Sequence, residues 1–323
     1  MDQFTLKARQ PPFLPVSALR PGPIANIDLP ASFFHKHRLE KPAKDIHNFL
    51  ASDLHTPRLD ALHNHLWLAG LMQPARELHR QRLLGRAIYI TERPEEHIVW
   101  REDSVFVKAL PDYILCHEFW TTSICPHADL YSSALGLLWS YTWLVRSKPD
   151  LKIAHEMGLV PLDIDWASWS RFVQDILDGD QNQIWCDVSL RYTYGELRLS
   201  RLNTLYRLGF AGLSLGNVVR GYMKGSHRYS TLFERNFGWL LSVFVYITVV
   251  LSGMQVALAT GWFADDYGFQ GLCYVVAIAA IALVPAVMLV MFLVWAGLFF
   301  YYVLSTILYH KKVRTERGMD GAS

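Results

Sequence analysis

From Asn236 to Tyr309 the chain carries only two ionised side chains, Asp265 and Asp266, whereas from Asp2 to Arg235 charges recur every few residues. A polypeptide divided this way must place its two parts in different solvents. The first apolar run, Phe237 to about Phe263, exceeds the roughly twenty residues that cross a bilayer core. Its Leu, Ile, Val and Phe side chains together favour insertion by on the order of several kcal/mol. The second run, from about Phe269 to Tyr309, is about twice as long as one crossing needs. Either one long tilted helix projects beyond the bilayer, or Pro285 divides the run into two short crossings.

Flanking charge selects between these readings. Arg220, Lys224, Arg228 and Arg235 precede the first run, Lys311, Lys312, Arg314 and Arg317 follow the second, and the loop between holds only the two aspartates. Lysine and arginine favour the cytosolic side, so both ends are expected there and the number of crossings is even. The expectation is a multi-pass integral membrane protein with a two-helix transmembrane hairpin, spans at 237–263 and 269–309, entered by a basic connector at 211–235. A basic cytosolic tail at 310–323 follows, and Phe299, Phe300, Tyr301 and Tyr302 form an aromatic belt at the cytosolic interface. The connector cations Arg220, Lys224, Arg228 and Arg235 are candidate contacts for anionic lipid headgroups, at about 1 kcal/mol each close to the surface; alternatively, they only fix topology. Gly253, Ala257 and Gly261 recur every four residues and put a small-residue stripe on the first span. Packing against the second helix of the hairpin is the favoured reading of that stripe, with homodimerisation as the alternative.

The region before the hairpin reads as α+β and mainly helical. Residues 1–30 are proline-rich without periodicity and are expected to form a disordered tail, in which Arg9, Pro12 and Pro15 have the spacing of a polyproline ligand. A cytosolic domain is expected over 40–210. Helical spacing runs from about Ala43 to Leu84, with Pro57 and Pro74 opening new helices. β-branched and aromatic runs at Ala87–Thr91, His97–Trp100 and Val105–Val107 predict a small antiparallel β-meander at about 86–108. The apolar stretch Leu130 to Val145 is too short and too interrupted by hydroxyls for a span and reads as a buried core helix. Asp163 or Asp165 caps a further helix that ends near Gly179.

A net charge of +2 gives no case for nucleic acid as a partner, and four scattered cysteines do not form a secreted disulfide framework. Gly212-Leu213-Ser214-Leu215-Gly216 spells the letters of a nucleophile elbow, but the residues before it are helical and no acid and histidine can converge on Ser214. His63 and His65 stand two apart and do not face one another on a helix. Cys116, His117, Cys125 and His127 lack the paired spacing of a zinc knuckle. No catalytic set, metal or cofactor is therefore expected.

Ile90-Thr91-Glu92, His97-Ile98-Val99-Trp100, Val107-Lys108-Ala109-Leu110-Pro111, the run Tyr194 to Asn203 (YGELRLSRLN) and Arg220-Gly221-Tyr222-Met223, followed by two apolar runs, together resemble a family of uncharacterised fungal membrane proteins. The similarity extends over most of the chain after about residue 40. It implies an architecture and no chemistry. The function expected is a non-enzymatic interaction or scaffold module on the cytosolic face of a bilayer, with lipid and protein partners. The alternative is an enzyme acting on a lipid or membrane-adjacent substrate, for which His155, Glu156, Asp163 and Asp165 are the nearest polar grouping. A transporter is disfavoured, since two crossings without ionisable groups form a pore only as an oligomer.

Overall fold

The computed structural model describes residues 9–20, 27–35, 38–179, 181–210, 212, 221–223, 229–260 and 267–316. The protein is mainly helical with two small sheets, and it divides into two compact units, Met1–Tyr222 and Met223–Ser323.

In the first unit, β1 (Phe33–His35) and β2 (Arg38–Glu40) pair antiparallel, with Phe33 against Phe49. α1 (Ile46–Leu54) begins where the Asp45 carboxylate accepts from the Asn48 amide at 3.1 Å, and it buries Phe49, Leu50 and Leu54. α2 (Pro57–Asp60) opens at its proline, and a 3-10 turn, His63–Leu68, continues it. Pro74 opens no helix. It lies in a connecting segment whose Gln73 carbonyl accepts from the Gly195 amide, and α3 starts only at Leu78 and runs to Leu83.

The central sheet differs from the expected meander. β3 (Ala87–Thr91), β4 (Val99–Arg101), β5 (Ser104–Lys108) and β6 (Leu197–Arg198) stand in the order β3-β5-β4-β6. β4 and β5 are the antiparallel pair, joined through Glu102 and Asp103, while β3 runs parallel to β5 and β6 parallel to β4. The cause lies in the connector Glu92–Ile98. It is too long for a tight hairpin, takes a 3-10 turn at Pro94–Glu96, and carries the chain past the place that β5 then fills. β5 buries four of its five residues and takes the centre, as a strand apolar on both faces should. Ile98 has φ 55, unfavourable for a β-branched residue. It is held there by hydrogen bonds to the Phe106 carbonyl and from the Leu197 amide.

α4 (Ala128–Leu144) is buried almost all round and forms the middle of the core, so the apolar stretch at 130–145 is an interior helix. A Cβ at Gly136 would land in the Tyr192 ring, which accounts for glycine in this helix. α5 (Lys148–Glu156) packs against α3, and α6 (Trp166–Asp178) is tied to the end of α4 by the Trp169 indole, which donates to the Val145 carbonyl at 3.1 Å. Asp165 caps α6 by accepting from the Ser168 amide at 3.0 Å, and Trp169, Phe172 and Ile176 are buried at helical spacing. α7 (Gln181–Asp187) leads to α8 (Leu199–Arg207), which buries Leu199, Leu202, Leu205 and Tyr206.

The expected disordered tail is docked over residues 9–20. Phe13 is 3 % exposed and packs against Trp120 and Phe172, while Arg20 pairs with Asp163 and Asp112. One buried aromatic and one arginine with two carboxylates outweigh a local composition that by itself favours an extended solvated chain.

The second unit consists of α9 (Tyr229–Ala259) and α10 (Tyr267–Glu316), which is unbroken through Pro285. An apolar groove of about 310 Å³ lies between them, lined by Tyr246, Ile247, Val250 and Leu251 on one side and Val276, Ala279, Ala280 and Leu283 on the other.

Candidate functional site

Several buried polar groups of the first unit collect where β4 begins and β5 ends. Lys108 closes β5 with its side chain wholly buried, and its ammonium donates to Asp53 Oδ1 at 2.8 Å and to the Glu92 carbonyl at 3.0 Å. The other Asp53 oxygen accepts from the Tyr113 hydroxyl at 2.5 Å. Burial, reinforced by the Asp53 charge, holds that phenol well above its ordinary range, so it stays a donor. His97 is fully buried. Its Nδ1 accepts from the Lys108 amide at 3.0 Å, so Nε2 bears the proton and donates to Ser140 Oγ at 2.7 Å. Ser140 in turn donates to the Leu137 carbonyl at 2.6 Å. A serine nucleophile needs the opposite polarity, with the imidazole accepting, so this pair ties α4 to β5 and activates nothing. Burial, with the charges of Arg191 and Lys108, pushes the His97 pKa well below its usual value.

Arg191 holds the same entry end of β4 through the His97 carbonyl. Its guanidinium is 1 % exposed and donates to the carbonyls of Tyr194 (2.6 Å), His97 (2.7 Å) and Gly195 (3.4 Å). A buried cation served by three carbonyls determines where the segment 194–197 lies. Glu196 then accepts from the Arg76 amide at 3.1 Å, Gln81 Nε2 at 2.8 Å and Arg86 at 2.9 Å. Arg86 and Arg198 stand 4.2 and 5.1 Å from the Trp100 ring centre. Gly195 has to be glycine, because a Cβ there would sit 2.5 Å from the Ala75 nitrogen; at Gly70 it would sit 2.5 Å from the Glu196 carbonyl.

The groups singled out by sequence do not converge. Asp163 pairs with Arg20, Asp165 caps α6, and Glu156 meets Arg82 at 2.9 Å, each on a separate errand. Cys116 and Cys125 are buried, and burial raises the Cys125 thiol to about 11. Among the described residues no group of three His, Cys, Asp or Glu side chains could hold a metal ion. Of the Gly212–Gly216 run, Gly212 has φ 98, and Ser214 lies outside the described residues. So do Arg220, Lys224, Arg228 and Gly261; Arg235 falls on α9. Gly253 is exposed, with open space where a Cβ would stand, and Ala257 is half-buried.

What sequence reading missed is the clamp where the first unit ends. Tyr222 is buried, its amide donates to Asn203 Oδ1 at 2.8 Å, and its hydroxyl donates to the Glu95 carbonyl. The Arg58 guanidinium lies 4.8 Å from both the Tyr206 and the Tyr222 ring centres and donates to the Gly221 carbonyl at 3.0 Å. Gly221 has φ 63, which favours glycine. The pairing of a glycine–tyrosine step with a distant arginine leaves no periodic signal.

Beside the clamp, the segment His65–Gly70 runs along α8 and β6. Arg201 donates to the Leu68 carbonyl at 3.1 Å, the Arg198 amide to the Ala69 carbonyl at 2.9 Å, and the His65 and Phe210 rings are 4.6 Å apart. Along this edge Trp67, Leu71, Met72, Leu208 and Phe210 are all exposed, from 43 to 70 %.

These observations define a class: a globular α+β unit with an extensive aromatic core, in a chain that also carries two helices long and apolar enough to span a membrane, Leu241–Ala259 and Tyr267–Val287. A family of unknown function, DUF6601, matches residues 46–284, and the chain belongs to that family. A comparison with curated proteins finds no match, and one with solved structures finds none either.

Proposed function

We propose that this is an integral membrane protein whose α9–α10 hairpin crosses a bilayer twice and holds the first unit at the cytosolic face, where that unit serves as a non-enzymatic interaction or scaffold module. The observation that carries the reading is the outward face of the second unit. Leu241, Phe244, Val249, Ile281, Leu293 and Leu304 are each more than half exposed, with no ionised residue between Asn236 and Asp265 or between Asp266 and Tyr309. Water would solvate that surface poorly, whereas lipid solvates it well, and the helical hydrogen bonds satisfy the backbone internally. The lysines and arginines at both ends favour the cytosolic side for each, and Arg220, Lys224, Arg228 and Arg235 then lie where anionic headgroups are available. In this reading the exposed Gly253 faces lipid or a second copy, close backbone approach being what helix association offers in a bilayer.

The first unit supports the non-catalytic half of the proposal through its chemistry. Among the described residues, the buried charges of Lys108 and Arg191 and the Ser140–His97 pair are consumed in joining strands to neighbouring segments. Alkaline carbonate should leave the full chain in the membrane pellet, and protease added to sealed vesicles, cytosolic side out, should remove tags from both termini. Release by carbonate, or protection of one tag alone, contradicts the topology.

A further inference from the structure

Accepting the membrane anchorage above, we infer that the edge formed by the His65–Gln73 segment and the end of α8 is a second, peripheral membrane contact, inserting Trp67, Leu71, Met72, Leu208 and Phe210 into the headgroup–acyl boundary. Three independent features point to lipid as the occupant. The first is the position of the chain exit. Tyr222 is locked to Asn203 on α8, and Leu208 follows five residues later, about 7.5 Å of helix rise away. Six residues then separate Tyr222 from the start of α9, a tether that reaches roughly 20 Å when fully extended. α9 then rises about 18 Å from Tyr229 to Leu241, where the first apolar span begins, so the length of the connection lets this edge reach the bilayer that the hairpin enters.

The second feature is charge. The described stretch 197–210 holds Arg198, Arg201 and Arg207 and no aspartate or glutamate, and the segment 63–73 carries no carboxylate. Arg201 sits within the apolar edge itself. Two segments that together carry cations and no carboxylate, beside exposed apolar groups, complement an anionic lipid surface, for which each nearby cation contributes about 1 kcal/mol. The third is side-chain type. A tryptophan, a phenylalanine, a methionine and two leucines exposed on neighbouring segments suit the bilayer interface, where a large ring with one polar atom is solvated at both ends. The contact also explains why α8 ends in Leu208-Gly209-Phe210, apolar residues that the first unit itself leaves uncovered.

The test uses the full chain reconstituted in vesicles of phosphatidylcholine and phosphatidylserine. In a Cys186→Ser background, which removes the exposed thiol and leaves three buried ones, Leu71→Cys is labelled with an environment-sensitive fluorophore. Tyr89→Cys, on the opposite edge strand of the sheet and four strand spacings, about 19 Å, from the segment that Gly70 brings against Leu197, is the control. The label at 71 should emit to the blue of the label at 89 and be quenched by nitroxide-bearing lipid, while the control is not. Water-like emission at 71 from protein that resists carbonate overturns the contact and leaves the anchor standing. A blue shift without quenching by lipid nitroxide assigns the edge to a protein partner and overturns it equally. Carbonate release removes the anchor and the inference together.

Discussion

Replacing Lys108 by methionine tests the reading of the buried centre as a lock rather than a site. The ammonium has no exposure, and its strongest partner, Asp53, keeps only 16 % of its side chain in contact with solvent. Methionine fills the stem of the lysine but leaves Asp53 with the Tyr113 hydroxyl as its remaining close donor, and leaves the Glu92 carbonyl without the ammonium. Breaking one partner out of a buried ion pair costs about 3–5 kcal/mol. For a unit of this size each kcal/mol moves the midpoint by about 2–4 °C, so the loss should lie between about 6 and 20 °C. Thermal unfolding of the full chain in detergent, followed by the near-ultraviolet circular dichroism of its tryptophans, reads this directly. The double variant Asp53→Asn with Lys108→Met removes both charges and keeps an acceptor for Tyr113, and should recover about 1–3 kcal/mol of the loss. A single variant that loses less than about 1 kcal/mol, or a double variant no better than the single, would refute the argument.

Two further outcomes follow from the same geometry. Arg58→Ala removes two cation–ring contacts and the bond to the Gly221 carbonyl, so trypsin should cut at Arg220 and Lys224 several-fold faster than in the parent chain; an unchanged rate would mean the clamp does not hold the exit. The pH dependence of stability should carry the signature of His97: its folded pKa lies below the unfolded value near 6.5, so the unfolded chain binds the proton first. Its contribution is complete above about pH 6.5 and is lost as pH falls from there toward the depressed value, at up to about 1.4 kcal/mol per unit. Unfolding midpoints measured between pH 7 and 5 should drop more steeply in the parent than in His97→Gln, and parallel slopes would exclude it.

The elements legible in the sequence were those with a period or a hard chemical limit. α4 and α6 announce themselves by apolar spacing and an aspartate cap, and the two long helices by the absence of charge. Strand positions near 87, 99 and 104 followed from β-branched runs, but their order did not. Nothing local to Ala87–Thr91 says that it will lie parallel to β5, because that choice depends on the reach of the Glu92–Ile98 connector and on the burial of β5 from both faces. The docked segment 9–20 was illegible for a similar reason, since its composition describes an isolated chain while Phe13 and Arg20 act through partners more than a hundred residues away. Family-like runs such as Tyr194 to Asn203 were recognisable as words, and only the structure gives their grammar. Gly195 allows a backbone crossing, Glu196 collects three donors, and Asn203 holds Tyr222.

The length of α10 constrains the proposed hairpin further. Its stretch Tyr267–Val287 rises about 31 Å, already the thickness of a bilayer core. The charge-free part, however, continues to Tyr309, a rise of about 64 Å. Keeping all of that within a core of about 30 Å would need a tilt near 60°, outside the range of about 0–40° that spanning helices adopt. Length therefore excludes a straight span that dissolves every apolar residue in lipid. Pro285 supplies the place to bend, since its missing N–H frees the Ile281 carbonyl and loosens the helix where the first crossing is nearly complete. A second half turned toward the bilayer plane would put Phe299, Phe300, Tyr301 and Tyr302 at headgroup depth, where such rings are best solvated, and leave Lys311, Lys312 and Arg314 in water. On the proposed topology the hairpin would then be asymmetric, one arm a crossing and the other a crossing followed by an interfacial arm that requires α10, continuous through Pro285, to bend there.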